Sequence, residues 1–262
     1  MINVILLKSE KENIKKKGKR MLELKNISKK YGDKIALDNV SMSLSQGVYG
    51  LLGPNGAGKS TLMNIITENL KMDYGEVYWE EKSIKELKKN YRKILGYAPQ
   101  QQGLYESFTG RRFLCYMGTL KEISKKELSG EVERAAGYVN LLQVIDRPIG
   151  TYSGGMKQRL LIAQSIMGNP KLIIMDEPTA GLDPRERVRI REKIKELSQG
   201  KIILVATHVV SDIESIAKEI IILKEGKIIT KNTVPALCSQ YEGAKNLEDV
   251  YMQVFGNEVN HE

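Results

Sequence analysis

The chain has 262 residues, with 41 Lys and Arg against 32 Asp and Glu for a net charge of +9, and two cysteines. That length can bury a core without covalent staples, and Cys115 and Cys238 are too far apart to suggest zinc or a disulfide framework. No apolar run approaches the roughly 20 residues of a membrane-crossing helix, and residues 1–20 carry seven Lys and Arg against two Glu, so the basic excess reads as a solvated extension and not a nucleic-acid surface.

In that extension, Gly18-Lys19-Arg20 is what a purine-rich ribosome-binding site would encode if translated in frame, which makes Met21 the expected start of the native polypeptide. Residues 22–27, 36–44 and 48–52 read as short strands separated by Gly32-Asp33 and Gln46-Gly47, a small sheet feeding a core strand. Next comes Gly53-Pro54-Asn55-Gly56-Ala57-Gly58-Lys59-Ser60-Thr61, followed by the helical spacing of Leu62, Ile65, Ile66 and Leu70 over residues 60–70. This is a phosphate-binding loop at a strand-to-helix turn. Its glycines let backbone N–H groups approach a polyphosphate, the helix offers its positive end, Lys59 suits the β- and γ-phosphates, and Ser60 suits Mg²⁺.

Residues 75–79 and 94–97 continue as strands, and 101–149 turn mostly helical, with breaks expected at Gly110-Arg111-Arg112 and Gly130. Ser153-Gly154-Gly155 then opens a helix over 154–167 that stops at Gly168-Asn169-Pro170. A serine cap and two small residues make this a second anion site. Apolar runs at 172–175, 202–206 and 220–223 alternate with helical segments 184–197 and 209–218, the pattern of buried parallel strands joined by crossover helices. A short strand at 227–230 and a helical tail follow, with no internal repeat.

Two strand ends carry chemistry. Asp176 leaves the carboxyl end of one core strand, where α/β sheets bind ligands, and is expected to hold Mg²⁺. Glu177 beside it is expected to be the base that activates water against the γ-phosphate. His208 ends the next core strand at the same edge and is a second catalytic candidate.

The phosphate loop, the run Ser153-Gly154-Gly155-Met156-Lys157-Gln158-Arg159 and the run Leu172-Ile173-Ile174-Met175-Asp176-Glu177-Pro178, in this order, resemble the ATP-binding cassette of ABC transporters over about residues 21–230. The resemblance implies a P-loop NTPase α/β core with a mostly parallel sheet, an antiparallel β-subdomain, and a helical insertion at about 101–152, flanked by the 1–20 extension and a 231–262 tail. It implies ATP and Mg²⁺ as cofactors, adenine stacked on Tyr31, and Gln100 of Tyr97-Ala98-Pro99-Gln100 linking Mg²⁺ and the attacking water to the insertion. It also implies two cassettes paired head to tail, so that Ser153, Gly154 and Gly155 of one meet the ATP held by the other, with Ala180-Gly181-Leu182-Asp183 along the seam. Tyr152 and Met156 depart from the usual Leu and Gln of the signature.

The expected activity is ATP hydrolysis that drives a separate membrane-spanning permease from the cytoplasmic face of the membrane. Tyr105, Phe108 and Tyr116 are either permease-facing or core of the insertion. The tail Leu247-Glu248-Asp249-Val250-Tyr251 is similar to the ending of bacterial export subunits and favours export. The rival is a soluble cassette ATPase acting on ribosomes or DNA, although relatives of that kind carry two cassettes or long coiled coils that are missing from this sequence; no nucleic-acid partner is expected.

Overall fold

The computed structural model describes residues 21–100 and 103–256. The basic extension at 1–20, residues 101–102 of the insertion and His261 lie outside the described residues.

Strands β1 (Leu22–Tyr31) and β2 (Lys34–Leu44) form a hairpin, and β3 (Gly47–Leu52) leads into the phosphate loop and helix α1 (Lys59–Ile66). Next come β4 (Tyr74–Trp79), β5 (Lys82–Ser83), the short helices α2 (Ile84–Leu87) and α3 (Lys89–Ile94), and β6 (Leu95–Ala98). The insertion supplies α4 (Gly110–Leu120) and α5 (Lys125–Tyr138). It is followed by α6 (Gly154–Ile166), β7 (Leu172–Asp176), α7 (Pro184–Leu197), β8 (Ile202–Ala206), α8 (Val210–Glu214) and β9 (Glu219–Lys224). The chain closes with β10 (Lys227–Asn232), α9 (Val234–Gln240) and α10 (Leu247–Phe255).

Two sheets result. An antiparallel one runs β2-β1-β4-β5, and a six-stranded one runs β10-β9-β3-β8-β7-β6, parallel apart from β10. The central strands are apolar on both faces because both faces are covered. Leu172 and Ile174 with Ile202 and Leu204 point into a core shared with the antiparallel sheet and α1, whereas Ile173 and Met175 with Ile203 and Val205 point into a core shared with the insertion. Leu237, Leu247, Val250 and Phe255 belong to that second core, so the C-terminal helices are folded against the sheet.

Several local expectations change. The helix expected over 60–70 stops at Ile66, since Glu68 takes a left-handed φ of 59°. The segment expected as helix 209–218 keeps only α8, because Lys218 N–H is drawn to the Val48 carbonyl at 2.7 Å where β9 begins beside β3. Helices α2 and α3 lie where none was expected, the first capped by Ser83. Gly110 and Gly130 are not breaks: Thr109 caps α4 at Gly110, and Gly130 lies inside α5. Among the described residues, no helix is long and apolar enough to cross a membrane.

Candidate functional site

The carboxyl ends of β3, β8 and β7 lie side by side. Leu51 is in register with Ala206, and Ala206 with Asp176, so the turns leaving these strands share one edge. From β3 the chain enters residues 53–58 and turns into α1 through Gly58, whose φ of 107° and 2.5 Å approach of a would-be Cβ to the Ala36 carbonyl leave room for no side chain. Lys59 is buried, and its Nζ donates to the carbonyls of Gly53 (2.6 Å) and Pro54 (3.0 Å). Burial lowers its pKa, while Glu177 and Asp176 pull the other way, which places all three in one electrostatic neighbourhood. The Ala57 N–H donates back to Pro54 O (3.2 Å), and Ala57 O accepts from the Gly226 N–H (3.0 Å), which ties the loop to the β9–β10 turn.

A cleft of about 210 Å³ opens over this loop. Tyr31, Lys34 and Ala36 line one wall and Asn55, Gly56, Gly58, Lys59, Ser60 and Thr61 the other. Tyr31 is half exposed, with the Lys29 ammonium 5.8 Å from its ring centroid.

Across the edge, Glu177 adopts a left-handed φ of 47°, a costly backbone state for a residue with a side chain. Its surroundings over-determine it. The Glu177 N–H donates to Ala206 O (2.8 Å), and its own carbonyl accepts from Ala180 N–H (3.1 Å) and from the buried Gln158 Nε2 (3.3 Å). The carboxylate accepts from Thr207 Oγ1 at 3.0 Å on Oε2, and on Oε1 from His208 N–H at 3.0 Å and His208 Nδ1 at 2.7 Å. Glu177 is buried, whereas the His208 side chain is 59% exposed and reaches toward solvent. Asp176 is buried as well, and burial, then the charge of Glu177, opposed by Lys59, raises its pKa to about 6. Two adjacent buried carboxyls and an exposed hydroxyl at Ser60 suit a hard divalent cation, which would relieve that electrostatic cost. Gln100 lies two residues past β6 at the same sheet edge and is exposed.

Ser153, Gly154 and Gly155 do not line the phosphate-loop cleft. They open α6, where Ser153 Oγ accepts from Met156 N–H at 3.2 Å; Ser153 and Gly154 are exposed, and a Cβ on Gly154 would meet nothing within 4 Å. Tyr152 is buried, and its hydroxyl donates to Val144 O (2.8 Å), so it serves the core of the insertion and leaves the open turn unaltered. Sequence reasoning missed Thr207, Gln158, Thr179 and Asp212. Adjacency to His208 and Glu177 could have pointed to the two threonines, but nothing local marks Asp212.

The family model described as ABC transporter matches residues 37–180. This chain belongs to the ABC transporter family. The cassette is 36% identical over 233 residues to the lantibiotic transport ATP-binding protein of Streptococcus pyogenes, covering 88% of this chain and 96% of that one. It is 37% identical over 226 residues to the linearmycin resistance ATP-binding protein of Bacillus subtilis (strain 168), covering 85% and 72%. Its fold superposes with a TM-score of 0.74, at 29% identity and with 81% and 98% coverage, on a dimeric ATP-binding cassette in a post-hydrolysis state bound to ADP and Pi. The cassette is a nucleotide-binding ATPase subunit of a transporter, and these relatives set aside the ribosome- or DNA-acting alternative.

Proposed function

We propose that this cassette powers an export system from the cytoplasmic face of the membrane, with Glu177 as the catalytic base. The observation that carries the reading is the convergence of Glu177, Thr207 and His208 at the sheet edge where the phosphate loop opens. A carboxylate offers about four lone-pair positions, and three donors engage Glu177 here. One remains to accept a proton from water attacking the γ-phosphate. Movement of the exposed His208 ring from Glu177 Oε1 to the γ-phosphate would free a second and tie the base to the presence of ATP.

Lys59 would exchange its two backbone carbonyls for phosphate oxygens, Tyr31 would stack on adenine, and Gly53 to Thr61 would cradle the phosphates through backbone N–H groups. Ser60, Asp176 and Gln100 would hold Mg²⁺, which supplies charge neutralisation on the phosphates when bound. Because Ser153, Gly154 and Gly155 sit apart from the cleft, with Ser153 and Gly154 exposed and Gly155 half-buried against Leu182, their anion site serves a second cassette's ATP. The active unit is then a head-to-tail pair, homodimeric or with a paralogue.

Tyr105 (51% exposed) stacks on Phe108 at 4.9 Å and meets Tyr116 (44% exposed) edge-on at 6.2 Å. This exposed aromatic cluster on the insertion favours a surface for the membrane-spanning permease over a purely internal role. The transport and resistance functions named for the two relatives support export. In Glu177→Gln, ATP turnover is expected to fall at least about 100-fold while ATP-dependent pairing of cassettes persists; wild-type turnover would overturn the assignment.

A further inference from the structure

We infer that Asp212 is a positioning residue for the hydrolytic step, holding the loop that carries Glu177 against the helix that follows His208. The inference rests on the reading of Glu177 as the base.

Asp212 lies on α8, four residues beyond His208, and Thr179 lies two residues beyond Glu177; both are buried. Thr179 Oγ1 donates to Asp212 Oδ2 at 2.6 Å. The carboxylate also meets two guanidinium groups of α7: Arg191 Nη1 donates to Oδ1 at 3.2 Å and to Ser211 O at 3.0 Å, and Arg187 Nη1 lies 4.0 Å from Oδ2. Arg187 also donates through Nε to Leu182 O at 3.1 Å, in the turn 180–183 that precedes α7. One buried carboxylate therefore joins the Glu177 loop, the turn expected along the dimer seam, α7 and the helix after His208.

A buried charge needs such partners merely to exist. Its placement gives it a further consequence. The β7 and β8 turns are bridged at Glu177 by its N–H to Ala206 O and by its carboxylate to Thr207 and His208, and Thr179 to Asp212 bridges them again farther along the loop. That outer crossing restrains the loop beyond Glu177, toward the turn 180–183, where the bonds made by the Glu177 carboxylate do not reach. The left-handed Glu177 backbone has no intrinsic preference to hold it in place. Any shift of the turn 180–183 on pairing is passed through Arg187 to Asp212 and from there to Thr179.

The test compares Thr179→Val, Thr179→Ser, Asp212→Asn and Glu177→Gln in the full chain, reading kcat, KM for ATP and thermal midpoint. Thr179→Val keeps the shape and removes the donor; Thr179→Ser restores it. The expected result is a roughly tenfold fall in kcat for Thr179→Val and Asp212→Asn with KM changed less than about twofold, and recovery in Thr179→Ser to within about twofold of wild type. Wild-type kcat in Thr179→Val and Asp212→Asn beside an inactive Glu177→Gln would overturn this inference alone. Wild-type kcat in Glu177→Gln would overturn the base assignment and this inference with it. Equal loss of kcat and thermal midpoint in Thr179→Val and Thr179→Ser would mark a purely structural contact and also overturn the inference.

Discussion

The two ends of α6 are built on opposite principles. At its start, Ser153 and Gly154 are exposed and the space over Gly154 is open. At its end the chain consumes its own polar groups: Arg134 Nη2 donates to Ile166 O at 2.8 Å, Lys121 Nζ to Met167 O at 2.9 Å, and Gly168 N–H to Glu131 Oε1 at 2.6 Å. Gln164 Nε2 further donates to Tyr97 O at 3.0 Å, across to β6. A helix leaves N–H groups unsatisfied at its start and carbonyls at its end. Here the carbonyl end is spent on attachment to the insertion helices α4 and α5, and the N–H end is left open to solvent. The helix attached to the insertion at one end is therefore the same helix that carries the open Ser153–Gly154 turn at the other, so the pairing proposed above would couple that turn to the insertion.

The comparison is tested most severely at Gly96 on β6, where a Cβ would overlap the Ser165 carbonyl near the attached end. Gly96→Ala should lose about 3 kcal/mol or more of stability, read by denaturant unfolding; an unchanged midpoint would show that the attached end yields.

Next is Lys121, whose pKa burial lowers to about 8 from 10.5, against a smaller opposing pull from Glu131. Between those values the unfolded chain binds more protons than the folded one, so stability should rise as pH climbs from about 8 to about 10.5 and be lost as it falls back through 8. Unfolding free energies of wild type against Lys121→Met across that window, from denaturant titrations, should diverge by up to about 3 kcal/mol; parallel curves would mean that the ammonium is well solvated.

Removing the cap at the open end, Ser153→Ala, should cost about 1 kcal/mol, measured in the same unfolding assay. Gly154→Ala should change stability by less than about 0.5 kcal/mol yet abolish ATP-driven pairing, followed by light scattering in the Glu177→Gln background. A loss of stability there would contradict the openness of the turn, and retained pairing would contradict its use.

Much of the site was legible because it is local. The phosphate loop is a single strand-to-helix turn, and the apolar run before Asp176 alone delivers the carboxylates to a strand end. The apolar runs also gave the three central strands, since a strand buried on both faces has no polar positions to hide its signal. The short helices α2 and α3 escaped notice because too few residues carry any periodicity there. Gly110 and Gly130 misled because packing and a threonine cap outweigh a single residue's helix propensity.

The sequence by itself determined which groups are proposed to meet phosphate, since loop, lysine and hydroxyl are contiguous. Only the tertiary structure decided how Glu177 is held. Its partners Thr207 and His208, and the crossing from Thr179 to Asp212, join residues 30 to 33 positions apart that become neighbours because β7 pairs with β8. Strand order is set by the burial of whole faces, and no local pattern of residues records it.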